Sequence, residues 1–120
     1  MMKLLTLNTH SLIEDRYEEK LEHFVKAIAS FKPDIIALQE VNQTADSRIV
    51  AGQGVKLDNH ALRVVDKLKV YNQSYDYAWL GIKNGYDKFD EGVAILSRSK
   101  IIKTNVITAS KTDDYFNWKT

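Results

Sequence analysis

Residues 33–41 read Pro33-Asp34-Ile35-Ile36-Ala37-Leu38-Gln39-Glu40-Val41. Proline lacks the N–H a helix needs and disfavours helical backbone in the residue before it, so any helix arriving from upstream stops here. The run Asp34 to Gln39 is short and mostly apolar, the pattern of a strand covered on both faces. Upstream of Pro33, Tyr17, Leu21, Phe24, Val25 and Ile28 recur at helical spacing, with Glu18, Glu19, Lys20, Glu22 and Lys26 on the opposite side. Asp15 and Glu18 form an Asp-x-x-Glu variant of the capping box at the start of that helix. Before it, Lys3 to Thr9 is rich in Leu and Thr and reads as a buried strand. Strand, helix and strand in this order make a βαβ unit, with parallel strands and a right-handed crossover.

Downstream the pattern is looser. Residues 42–57 are mainly polar, carry two glycines and show no period, which predicts a long mobile loop. Ala61, Leu62, Val65 and Leu68 predict a second helix, capped by Asp58 or Asn59. Tyr75 to Ile82, Gly92 to Ser97 and Ile101 to Ser110 read as strands, with a loop over 83–91 and a tight turn at Arg98-Ser99-Lys100. Tyr75, Tyr77 and Trp79 share one strand face and are expected in the core. The last residues, Asp113 to Thr120, enter what reads as another aromatic strand and stop without a turn or polar tail, an ending that fits a natural terminal strand and a truncated chain alike.

Composition narrows the classes. Of 120 residues, 44% are hydrophobic and 28% charged, a globular balance. Seventeen basic against sixteen acidic side chains leave a formal charge of +1, so the chain is neither a basic nucleic-acid arm nor an acidic tail. The absence of cysteine removes disulfides, thiolate zinc sites and cysteine nucleophiles. His10, His23 and His60 are too scattered for a histidine-only metal cluster. No apolar run approaches the roughly 18 residues of a membrane span, and the apolar run at the start breaks too early for a signal peptide. A soluble, cytoplasmic protein is the expectation.

Two polar residues stand out by position. Asn8 lies near the C-terminal end of the first strand and Glu40 just past that of the second. Ligands of parallel α/β sheets bind beyond the carboxyl ends of the strands. On neighbouring strands the Asn8 carboxamide and Glu40 carboxylate converge, and such a pair suits a hard cation such as Mg²⁺. Turn formation by Asn8 and simple solvation of Glu40 are the commoner readings of the same positions. Neither a Gly-x-Gly-x-x-Gly nor a Walker loop follows the first strand, which excludes dinucleotide-binding and P-loop readings.

Three runs carry a resemblance: Leu4-Leu5-Thr6-Leu7-Asn8-Thr9-His10, the run from Pro33 to Val41, and Glu91-Gly92-Val93-Ala94-Ile95-Leu96-Ser97-Arg98. In order and spacing they resemble the N-terminal half of the endonuclease/exonuclease/phosphatase superfamily, and the Leu-Gln-Glu ending of the second run is the most specific of them. The resemblance implies an α/β fold that is the N-terminal half of a four-layer α/β sandwich, a βαβ start followed by a helix and antiparallel strands. Residues 1–120 would then be a partial domain lacking its C-terminal half. It also implies a divalent-metal-dependent hydrolase of phosphate esters, nuclease-like or phosphatase, using Mg²⁺ (or Mn²⁺). Glu40 inherits the metal-holding role, and Asn8 a place beside the metal orienting phosphate or carboxylates. The family's Asp-x-Asn motif, its mid-chain histidine and its terminal Asp-His pair have no counterpart here and are expected beyond Thr120. The fragment alone is therefore expected to be inactive and to expose the apolar inner face of its sheet.

Lesser candidates for substrate contact are His10, Glu91 at the rim, and Tyr86 and Lys88 in the 83–91 loop, where aromatic and basic character could serve a base or a phosphate. Arg48 and Lys56 could meet an anionic substrate. His23 is expected to face solvent, and His60 to be structural. The partners expected are a phosphate-ester substrate, nucleic acid among the options, and the missing half of the same domain. The alternative is a non-catalytic α/β binding module or relic of that fold.

Overall fold

The computed structural model describes residues 2–13, 15–85 and 88–107. The chain runs β1 (Leu4–Asn8), a short 3-10 turn (Ser11–Ile13), α1 (Tyr17–Phe31), β2 (Ile35–Thr44), β3 (Ile49–Ala51), a second 3-10 turn (Gly52–Gly54) and β4 (Val55–Lys56). It continues with α2 (His60–Val70), β5 (Asp76–Gly85) and β6 (Phe89–Ser97). Four strands form one sheet in the order β1-β2-β6-β5, and β3 pairs with β4 in a small separate ribbon. β1 and β2 are parallel, with Leu4 opposite Ile35 and Asn8 opposite Gln39, as the βαβ reading requires. The β2–β6 and β6–β5 pairings are antiparallel.

Both helices cover one face of this sheet. Leu21, Val25 and Ile28 of α1 and Ala61, Val64, Val65 and Leu68 of α2 share one core with Ile36, Leu38, Ala94, Leu96 and Trp79. The other face is apolar and open among the described residues: Leu4 is 66% exposed and Ile95 43%, with Val93 and Leu80 also accessible. Alternation along each strand divides the two faces, so Ala94 and Leu96 go inward while Val93 and Ile95 go outward. α1 stops where Pro33 requires it, and Lys32 closes it in the left-handed region.

The structure corrects several boundaries. Arg16, at φ 55°, is the N-cap of α1 and makes no side-chain cap bond, so the Asp15/Glu18 box does not form; Glu18 instead takes both arms of Arg63 from α2, at 2.7 and 2.8 Å. Of the two candidate caps of α2, Asn59 does the capping, its Oδ1 accepting from the N–H groups of Ala61 and Leu62. The segment 42–57 is not a long loop. β2 runs on to Thr44, and the ribbon of β3 and β4 follows. Likewise β5 and β6 extend through most of 83–91, where Lys83 of β5 opposes Glu91 of β6. No strand forms over 101–107: Ile101 is tied by its N–H to Asp76 Oδ2 at 2.8 Å, while Ile102 and Ile107 stay more than nine-tenths exposed. The rest of that expected strand and the aromatic stretch 113–120 lie outside the described residues.

Candidate active site

At the carboxyl end of the β1–β2 pair, the regular ladder breaks. Leu38 pairs with Ala94 and Val41 with Gly92, so β2 spends one residue more than β6 across Gln39-Glu40. That is a β-bulge, a device that re-aims a side chain. Glu40 takes φ 54°, left-handed backbone that a non-glycine residue adopts only when its surroundings demand it. Across the parallel pair, the Asn8 Nδ2 donates to Glu40 Oε2. The other end of the Asn8 carboxamide accepts the backbone N–H of His10 at 3.2 Å. Thr9 extends the link by donating to the Gln39 carbonyl, from its N–H and from its hydroxyl, both at 3.1 Å. His10 Nε2 lies 3.9 Å from Glu40 Oε2.

Asn8 and Glu40 therefore meet, as their strand-end positions implied, and His10 lies beside them. The Glu40 side chain is about a third exposed, accessible to an incoming ligand. Its oxygens and the Asn8 carbonyl oxygen are hard donors of the kind Mg²⁺ or Mn²⁺ prefers, and Mg²⁺ is bound by one or two carboxylates with waters completing its shell. These residues fit such an ion as a partial donor set. Among the described residues no cluster of three or more His, Cys, Asp or Glu side chains exists that could hold a metal.

The other candidates are dispersed. Glu91 is turned into an ion pair with Lys83 at 3.4 Å and is mostly buried. Lys56 is not available to a substrate: its ammonium lies 2.6 Å from Asp90 Oδ2 and 2.5 Å from the Ala45 carbonyl oxygen. Arg48 and Lys88 are exposed, and the backbone carbonyl of each is bonded within the protein, to Leu57 and Ala45 respectively. Tyr86 lies outside the described residues. His23 is exposed on α1, as expected.

A recess of about 200 Å³ adjoins the group, lined by Asn8, His10 and Ser11 on one side and by Tyr17, Lys20 and His60 on another. His60 is 4% exposed, and its Nδ1 is hydrogen-bonded to the Tyr17 hydroxyl at 2.8 Å. Burial, then the nearby Arg63 charge, lowers its pKa to about 4, while burial pushes Tyr17 up to about 12. At neutral pH both are uncharged, which agrees with a structural role for His60.

Sequence reasoning missed the polar support behind this site. Gln43, 1% exposed, donates from Nε2 to the Gly54 carbonyl and to Asp90 at 3.0 Å, and accepts from Asn59 Nδ2 and the Lys56 N–H at its Oε1. Asp58 accepts from the Thr44 N–H and hydroxyl. The signal available was the polar run Asn42-Gln43-Thr44 directly after Val41, which looks like loop unless its nonlocal partners are known.

A bulged, carboxylate-bearing strand end thus meets an Asn-bearing parallel neighbour on a mixed α/β sheet with helices on one face. The sequence profile of the Endonuclease/Exonuclease/phosphatase family matches residues 5–117, and the chain belongs to that family. Its structure is similar to that of an endonuclease/exonuclease/phosphatase family protein from Leptotrichia buccalis C-1013-b, with TM-score 0.93 and 29% identity, covering 98% of this chain and 45% of that one. An endonuclease/exonuclease/phosphatase from Beutenbergia cavernae DSM 12333 shares the fold at TM-score 0.57 and 14% identity, covering 86% of this chain and 27% of that one. The chain thus spans less than half the length of either structure. A search of curated proteins finds no match. Enzymes of this family generally depend on a divalent metal. No helix among the described residues is long and apolar enough to cross a membrane.

Proposed function

We propose that this chain is the N-terminal half of a Mg²⁺- or Mn²⁺-dependent hydrolase of phosphate esters, phosphodiesters of nucleic acid among its substrates, acting in the cytoplasm. The observation that carries the reading is the Asn8–Glu40 hydrogen bond at the bulged end of β2. In this reading Glu40 holds the cation. Asn8, whose amide donates to that carboxylate, fixes its rotamer and offers its own carbonyl oxygen to the same ion. His10, beside Glu40, meets the phosphate of the substrate. When bound, the cation supplies Lewis-acid polarisation of the phosphoryl oxygens. The chain's own residues orient it and hold the ester against it. The water-activating residues belong to the C-terminal half, which the open apolar face of the sheet and the 45% coverage of the Leptotrichia protein both favour. Residues 1–120 alone are accordingly inactive.

The test is Glu40→Gln in the full-length protein, assayed on bis(p-nitrophenyl) phosphate and on duplex DNA with Mg²⁺ and with EDTA. Gln preserves size and removes the charge. Turnover should fall by at least about a thousandfold, with the urea midpoint unchanged. Full activity of Glu40→Gln, or undiminished activity in EDTA, would overturn the reading. Activity on a monoester but not on DNA would keep the metal site and replace the substrate.

A further inference from the structure

Two hydrogen bonds join the loop carrying His10 to a single residue of β2. The Asn42 N–H donates to Ser11 Oγ at 3.1 Å, and the Leu12 N–H donates to Asn42 Oδ1 at 2.9 Å. Both partners are sealed from water: Asn42 is 0% and Ser11 1% exposed. Asn42 stands two residues beyond Glu40, and Ser11 one beyond His10. The clamp therefore spans the candidate site from its two sides.

Three features show that this clamp sets a geometry as well as filling space. His10 and Ser11 have φ 53° and 56°, consecutive left-handed conformations that non-glycine residues hold only under external constraint. Asn42 carries a buried Nδ2 with no hydrogen-bond partner, an unfavourable state for an amide donor. An aliphatic side chain would be buried there more cheaply, but it could not accept the Leu12 N–H. Only Val41 separates the bulge at Gln39-Glu40 from Asn42, so the residue that pins the loop also fixes the strand just after the bulge.

We infer that Asn42 is a positioning residue, holding the His10 loop in register with the Glu40 bulge so that imidazole and carboxylate face the same phosphate. The inference rests on the proposed function of the site. It assigns Asn42 no contact with substrate or metal; it acts through His10.

A double-mutant cycle in the full-length protein tests it, with bis(p-nitrophenyl) phosphate and saturating Mg²⁺ as the assay. Asn42→Ala and His10→Ala should each lower kcat by about tenfold or more. The double variant should be no slower than His10→Ala, within about twofold, because a mispositioned imidazole and a missing one are equivalent. A merely structural Asn42 would give losses that multiply, and multiplying losses overturn the inference, as does unchanged kcat in either single variant. Should Asn42→Ala fail to fold, Ser11→Ala removes one of the two bonds and enters the same cycle. Inactive Glu40→Gln together with multiplying losses would sink the clamp and leave the proposed function standing. Active Glu40→Gln would sink the proposed function itself.

Discussion

The two parts of β2 are held by different forces. Ile35 to Leu38 is regular, paired in register on both sides, and secured by apolar burial of Ile36 and Leu38. Gln39 to Thr44 is bulged, polar and just as well buried at Val41, Asn42 and Gln43, yet secured by side-chain hydrogen bonds from residues up to 47 positions away. The first part has its stability in packing, which tolerates substitutions of similar size. The second has its geometry in a network, which tolerates little because each lost bond leaves a buried partner unsatisfied. A functional strand end thus needs polar support that the scaffold strand does not.

The sharpest way to break the second part goes through its neighbour. Gly92 pairs with Val41, and a Cβ there would lie 2.0 Å from the Leu80 carbonyl oxygen and 2.9 Å from Trp79 Nε1. Gly92→Ala is expected to destabilise by more than about 4 kcal/mol or prevent folding, read as the urea midpoint or the yield of folded protein. A fall under about 1 kcal/mol would show that the β5–β6 pairing yields easily. In the first part, Leu38→Ala should lower stability by about 3 kcal/mol through the cavity it leaves, while kcat of the remaining folded protein stays near wild type. A selective loss of kcat there would erase the distinction between the two parts.

Acid gives the gentlest probe. His60, with its ordinary pKa of 6.5 lowered to about 4 by burial, takes up its proton in the unfolded chain first. Its contribution is fully present above about pH 6.5 and is lost as pH falls toward 4, up to about 3 kcal/mol. Glu18, whose pKa Arg63 holds below the usual carboxylate range, adds its loss only at lower pH. A His60→Gln variant should show a flatter stability profile between pH 6.5 and 4. An identical slope in both proteins would mean that His60 takes up its proton alike in the folded and unfolded chain.

Much of the first part was legible beforehand. Periodicity from Tyr17 to Ile28, the stop at Pro33 and the apolar Ile35–Leu38 are local signals, and they sufficed for the parallel β1–β2 pair. From it the meeting of Asn8 and Glu40 followed by position. The second part was not legible. Asn42 to Thr44 looks like loop because strand propensity is low for such residues, and only tertiary partners, the β6 ladder together with Asp58, Asn59, Lys56 and Asp90, make it a strand. The same holds for Lys83 and Glu91, whose ion pair lies across paired strands that sequence alone reads as a loop. Asn42 was passed over for that reason, since a buried asparagine is recognisable only by the loop it holds.

The Trp79 indole donates its N–H to the Val41 carbonyl at 3.0 Å, one residue past Glu40, in a 5% exposed environment. Indole emission shifts with the polarity around it and with loss of that bond. With Trp118, the other indole of the chain, replaced by Phe, the fluorescence of Trp79 becomes a local optical gauge of the bulge. Titrating Mg²⁺ into residues 1–120 carrying that single tryptophan would follow events at the strand end directly, with no label attached.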